Sequence, residues 1–309
     1  TETPLHKLET VYRRICESLR TASVPPSAFR SILDGWLYTL EADAVAADPS
    51  LATASDVRVA QSVEKLLEHR LGAVSSKTPA FAQALRGYRA SSLEGDAVNA
   101  DGLAAWIGGQ PHVSAAVKRV AAVRGDLDHF GAMAFLQGLL TVLKDAGHPG
   151  LLVVLDEVET LQRVRTDVRD KALNALRQLI DEVDAGRYPG LYLVVTGTPA
   201  FFEGPSGVAR LPPLAQRLHT DFTTDARFDN PRAVQVRLAG FTHASLVELG
   251  VRVRDLYASS DETSDRIVTT VSDAYLSDLA SAVAGALGGR VGVAPRVFLK
   301  KLIGDVLGR

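Results

Sequence analysis

Leu151-Leu152-Val153-Val154-Leu155-Asp156-Glu157 is the stretch on which the reading of this chain turns. Five apolar residues run without a break, which predicts a parallel-sheet strand buried on both faces. His148-Pro149-Gly150 precedes it as a cluster of breakers, so the strand starts abruptly. At the carboxyl end of such a strand, side chains reach the crevice where open α/β sheets bind ligands. Asp156 and Glu157 stand there. One carboxylate suits Mg²⁺ held through its water shell. The next suits orienting and deprotonating a water aimed at a γ-phosphate. The plainer alternative is an acid that only caps a helix after a buried strand.

Working outward, Thr166 to Ala185 carries Val168, Ala172, Leu176, Ile180 and Val183 near helical spacing. Thr166 or Asp167 is the expected cap, and Gly186 with Pro189 the expected stop. Leu191-Tyr192-Leu193-Val194-Val195-Thr196 then reads as a second buried strand. Strand, helix, strand is the parallel βαβ unit. Thr196-Gly197-Thr198-Pro199 ends it and sets a hydroxyl beside the first strand's carboxylates. Both threonines are equally turn formers next to Gly and Pro.

With 309 residues, the chain suits two domains, or one large domain with an insertion. Apolar content of 46% and charged content of 23% are those of an ordinary folded protein. A net charge of −2 gives no global pull toward nucleic acid or membrane. The one cysteine, Cys16, excludes an intramolecular disulfide and a cysteine zinc site, and a reducing cytoplasm is the expected location. No apolar run approaches the roughly 18 residues of a membrane span, and no signal-peptide pattern opens the chain. The seven histidines show no ligand spacing, so no metal bound by protein alone is expected. The first residue is Thr1 and the one methionine is Met133, as expected of a fragment or a processed form. No Gly-x-x-x-x-Gly-Lys-Ser/Thr occurs; Gly108-Gly109 and Gly288-Gly289-Arg290 lack the Lys-Ser/Thr. The expectation is a phosphate loop before Thr1, or a protein that does not hydrolyse nucleotide.

Residues 1–148 read as helices only, the last of them from His129 to Ala146. A third helix from Asp56 is expected to stop at Gly72. Gln110-Pro111-His112, Lys118-Arg119 and Arg124 are locally basic but read as a solvated face rather than a stripe for phosphates. Residues 149–240 hold the two strands and a short helix opened by Pro212-Pro213 that carries Arg217 near its end, with Arg210 just before it. An edge strand is expected over Ala233 to Leu238, where Val234, Val236 and Leu238 alternate with Gln235 and Arg237. Residues 241–309 return to helices.

Longer strings carry a resemblance. Leu155-Asp-Glu-Val-Glu-Thr-Leu-Gln-Arg163, Thr196-Gly-Thr-Pro-Ala-Phe-Phe202, Leu211-Pro-Pro-Leu-Ala-Gln-Arg-Leu218 and Arg227-Phe-Asp-Asn-Pro-Arg232 resemble the BrxD family of ATP-binding proteins from BREX-type phage-defence systems. Glu2-Thr-Pro-Leu-His6 and Leu127-Asp-His-Phe-Gly131 extend it over nearly the whole chain. The resemblance implies an α/β fold: an AAA+-like P-loop NTPase core whose parallel sheet is incomplete on its N-terminal side, with a large helical insertion and a C-terminal helical lid. Its Walker A segment would precede the Glu-Thr-Pro-Leu string. ATP and Mg²⁺ are the implied cofactors. Asp156 would hold Mg²⁺ through water, Glu157 would position the attacking water, and Thr196 or Thr198 would be sensor 1. Arg217 would be an arginine finger reaching a neighbouring subunit; the alternative is an internal pair with Asp221 or Asp225. Arg296, after Gly292-Val-Ala-Pro, would be the lid arginine called sensor 2. The implied partners are copies of the chain itself and other defence proteins, a helicase among them, with DNA in reach. A non-hydrolysing scaffold that keeps the fold to hold partners is the competing reading.

Overall fold

The two expected strands form and pair. In the computed structural model, β1 (Leu151–Leu155) and β2 (Leu191–Val195) run parallel, in register from Leu151 opposite Leu191 to Leu155 opposite Val195. Two glycines start the sheet. Gly190 has φ +92°, a conformation that favours glycine, and a Cβ on Gly150 would meet the Gly190 carbonyl oxygen at 2.3 Å, so the two backbones approach only because Gly150 has no side chain. The structure describes residues 4–25, 27–75, 78–238, 240–260, 267, 269–286 and 294–308. The expected features at Glu2-Thr3, Gly288-Gly289 and Gly292-Val293 lie outside them.

The helices before the sheet are α1 (Leu8–Ser18), α2 (Phe29–Ala47), α3 (Asp56–Ser75), α4 (Pro79–Leu93), α5 (Ala97–Ile107), α6 (Ala115–Val120) and α7 (His129–Asp145). Gly72 does not end α3, because one glycine costs a helix only about 1 kcal/mol. The starts of α5 and α7 follow from their caps: Asp96 accepts from Asn99 N at 3.1 Å and Asp128 from Gly131 N at 2.7 Å. α8 (Thr166–Asp184) crosses from β1 to β2. Its N-cap is Arg165, with no side-chain cap; Asp167 pairs with that arginine instead of capping.

The chain divides into two compact units, Thr1–Leu218 and His219–Arg309. In the first, the helices of residues 1–148 share one apolar core with the sheet and α8, so this stretch and the sheet form a single packed body. Val153 and Leu191 face that core beside Leu8, Tyr12, Leu136 and Leu179. Burial on both faces of the strands is not what forms. Leu151 and Val153 are buried, whereas Leu152, Val154 and Tyr192 are 60%, 52% and 70% exposed. α1, α7 and α8 pack on one face, and nothing among the described residues covers these three side chains on the other.

The second unit has its own core, built from α11 (His243–Ser260), α12 (Asp273–Ala286) and α13 (Ala294–Lys300), and it includes Leu246, Ile267, Leu276, Phe298 and Leu302. Within it, Arg254 is buried and donates to Val271 O at 3.0 Å and Asp273 Oδ1 at 2.6 Å. The edge strand expected over Ala233 to Leu238 is absent. Val234, Val236 and Leu238 are 66%, 55% and 89% exposed. Alternation makes a strand only where a sheet edge supplies backbone partners. Here Ala233 N bonds Asn230 O in a turn, and Arg237 ties the segment down by its side chain to Asp229, Phe222 O and Thr224 O. Among the described residues, no helix is long and apolar enough to cross a membrane.

Candidate functional site

Because β1 and β2 are in register, their carboxyl ends lie side by side, and the residues that follow knit together. Thr196 N donates to Leu155 O at 3.0 Å, and Val158 N donates to Thr196 O at 3.1 Å, so the ladder continues past both strands. Thr196 Oγ1 donates to Asp156 Oδ1, and Glu157 N reaches the same oxygen at 3.0 Å. One oxygen of Asp156 is thus engaged, while Oδ2 has no partner among the described residues. A single carboxylate with one oxygen turned to solvent fits a Mg²⁺ ion that keeps several waters. No group of three or more His, Cys, Asp or Glu able to hold a metal occurs among the described residues, so an all-protein cage is not offered.

Glu157 has φ +55° and ψ 44°. A non-glycine residue in this left-handed region is strained. The bend turns the chain from β1 into a 3₁₀ turn (Val158–Arg163) and leaves the Glu157 side chain exposed and without a partner among the described residues. Thr198 is extended, and its hydroxyl makes no capping bond to α9 (Pro199–Glu203). The loops after the two strands are braced to each other. Gln162 Nε2 donates to Ala200 O at 2.9 Å, and Arg169 donates to the carbonyls of Leu161, Gln162 and Val164 at 3.0–3.2 Å. Asp156 and Glu157 line a cleft of about 1110 Å³ that runs along β1, with Arg14, Ser18 and Arg20 from the end of α1 and its following loop on its walls.

Of the residues singled out in the sequence, Asp156, Glu157, Thr196 and Thr198 come together. Arg217 does not join them. It ends α10 (Pro212–Arg217) and pairs with Asp181 on α8, which also takes Arg177 at 2.8 Å. Neither Asp221 nor Asp225 is its partner: Asp221 accepts from Thr223 N and Asp225 from Arg227. Arg210, on the 3₁₀ turn before α10, pairs with Asp170 on α8 and holds that carboxyl below its usual range. Two Arg–Asp pairs thus clamp residues 210–217 along α8. Arg296 lies on α13 in the second unit, exposed, with no ion pair among the described residues. In the locally basic stretch, Lys118 donates to Asp126 at 2.6 Å, His112 N reaches the same carboxylate at 3.3 Å, and Arg119 Nε donates to Ala115 O at 3.2 Å.

Sequence reasoning passed over Asp181 and Glu159. Asp181 sits on a helix rich in charge, and nothing in its spacing marks it as the partner of a residue 36 positions later. Glu159 follows the Asp-Glu pair and reads as one more solvated acid, yet its Oε2 is buried without a hydrogen bond.

No curated protein and no solved structure matches the chain. A family described as "BREX system ATP-binding protein BrxC/D" matches it over residues 1–309, that is, from end to end. The chain therefore belongs to the BREX system ATP-binding protein BrxC/D family.

Proposed function

We propose that the protein is the BrxD type of this family, an AAA+-like ATPase of a bacterial phage-defence system that couples nucleotide state to assembly or DNA-linked work in the cytoplasm. The observation that carries this reading is the junction of the two strands. Asp156 and Glu157 follow β1, and the Thr196 hydroxyl from β2 donates to Asp156, in a chain whose family binds ATP. In this reading Asp156 holds Mg²⁺ through water. The ion, when bound, offsets phosphate charge. Glu157 orients the attacking water and takes its proton, and its exposed, unpaired carboxylate supports that role. Thr196 fixes Asp156 and, with Thr198, offers hydroxyls toward the nucleotide. Arg296 acts as the lid arginine.

Arg217 acts across a subunit boundary once it leaves Asp181. Exposed ion pairs are worth about 0–1 kcal/mol, and Asp181 keeps Arg177 as a partner, so release is cheap. The working form is then a homo-oligomer, meeting other defence proteins, a helicase or DNA. One observation favours the second reading, a non-hydrolysing scaffold: Arg217 is paired within its own chain.

Mixing separates them. Arg217→Ala and Glu157→Gln are made in the natural protein, each expected to be inactive alone. Mixed oligomers should regain hydrolysis at junctions that join an intact Glu157 to an intact Arg217. Normal hydrolysis by Arg217→Ala alone removes the finger. Absence of any ATP turnover in the parent protein selects the scaffold.

A further inference from the structure

Glu159 ends the Asp-Glu-Val-Glu string and lies in the first turn of the 3₁₀ segment after β1. Its side chain stands against the turn that follows β2. A Cβ built on Gly197 would lie 3.5 Å from Glu159 Oε2, 2.9 Å from Val158 Cγ2 and 3.2 Å from Phe202 Cε2. That oxygen is buried and has no hydrogen-bond partner. A buried acceptor left unpaired incurs its full desolvation penalty, so folding alone gives no reason to keep a carboxylate there. The turn it touches has the opposite surplus. The N–H groups of Gly197 and Thr198 have no acceptor among the described residues, Pro199 has no N–H, and the Thr198 hydroxyl is unpaired. An acceptor without a donor therefore lies beside a turn whose donors lack an acceptor, next to a glycine that carries no side chain.

We infer that Glu159 is a positioning residue, holding the Thr196-Gly197-Thr198 turn by accepting from its backbone N–H groups when nucleotide is engaged. A small roll of the turn makes that bond, and it carries the Thr196 and Thr198 hydroxyls with it. Thr196 is bonded to Asp156, so the position of the turn reaches the carboxylates at the end of β1. Gly197 is required because a Cβ would press on Val158 and Phe202 and hold the turn away. The inference rests on the hydrolytic reading above.

The test uses Glu159→Gln and Gly197→Ala in the natural protein, with Glu157→Gln alongside. Steady-state ATP turnover and thermal unfolding are measured for each. Displacing a catalytic group by a fraction of an ångström to an ångström costs about 10- to 100-fold in rate. Glu159→Gln should therefore lower kcat by about that much, with KM for ATP within about twofold. Its unfolding midpoint should be equal to or above the parent's, because Oε2 makes no hydrogen bond that the substitution could break. Gly197→Ala should show the same kcat loss. A purely structural glutamate predicts the reverse, a lowered midpoint with unchanged kcat, and that result overturns the inference. If Glu157→Gln is inactive while Glu159→Gln turns over at the parent kcat, this inference alone falls. If the parent itself shows no ATP turnover, the hydrolytic reading falls and this inference with it; normal turnover by Glu157→Gln removes only the assignment of Glu157 as the base.

Discussion

The helices before β1 and the carboxyl end of the sheet belong to one packed unit, yet they differ in how they hold polar groups. Among the helices, Phe135 sits edge-on to Tyr12, Phe81 and Trp106, with ring centroids 5.1–6.0 Å apart. Most polar tips inside are paired, while His6 Nδ1 and Arg30 Nε are buried without a hydrogen bond. Tyr12 donates to Ile107 O at 2.9 Å, Trp106 to Gly125 O at 3.0 Å, and Arg70 bridges Asp43 and Asp145. At the sheet end, Glu157 is strained and exposed, Glu159 Oε2 is buried and unpaired, and the Thr198 hydroxyl is unused. The difference teaches where each task resides. The helical core supplies stability, and the sheet end carries unsatisfied groups that stability alone would remove.

Breaking the sealed side should have the largest effect. Phe135→Ala removes three aromatic contacts and leaves a cavity, and it should cost about 3–5 kcal/mol in denaturant unfolding. A loss under about 1 kcal/mol would show that the helical core is not the keystone. At the open end, Glu157→Gln should slow hydrolysis by the natural protein about 10²-fold or more. It should leave ATP binding near normal and unfolding within about 0.5 kcal/mol of the parent. Equal turnover would break the comparison at its functional side.

The clamp along α8 sharpens it further through pH. Arg210 holds the Asp170 carboxyl below its usual range, so the unfolded chain binds that proton more readily than the folded one. The pair's stabilisation is therefore present above about pH 4, the ordinary carboxylate range, and is lost as pH falls through the depressed value. Unfolding midpoints of parent and Asp170→Asn should differ at neutral pH and converge in acid. A constant gap would mean that the carboxyl is unperturbed. The smallest effect is expected on the bare face of the sheet. Val154→Thr, at a half-exposed site, should change stability by no more than about 0.5 kcal/mol. A loss near 1–2 kcal/mol would show that this face is covered in solution.

Much of the site was legible because it rests on local pattern. The run from Leu151 to Leu155 and the run from Leu191 to Val195 each specify a strand, and the helix between them enforces parallel pairing. In-register pairing then brings Asp156 to Thr196 across 40 residues. The alternation over Val234, Val236 and Leu238 misled, because periodicity reports what a segment could bury and not whether a partner edge is there. The both-faces reading of Leu151-Leu152-Val153-Val154-Leu155 failed for the same reason: composition cannot say whether a second layer arrives.

By itself the sequence determined the βαβ unit, the helical character on either side of it, the carboxylate pair at the end of β1 and the family, all of which depend on residue order alone. Only the tertiary structure decided that Arg217 pairs with Asp181, that Glu157 turns through a left-handed bend, and that Glu159 sets an unpaired oxygen beside Gly197. Those facts depend on distances between side chains far apart in the chain. Such distances are set by packing over the whole core, which no local spacing encodes.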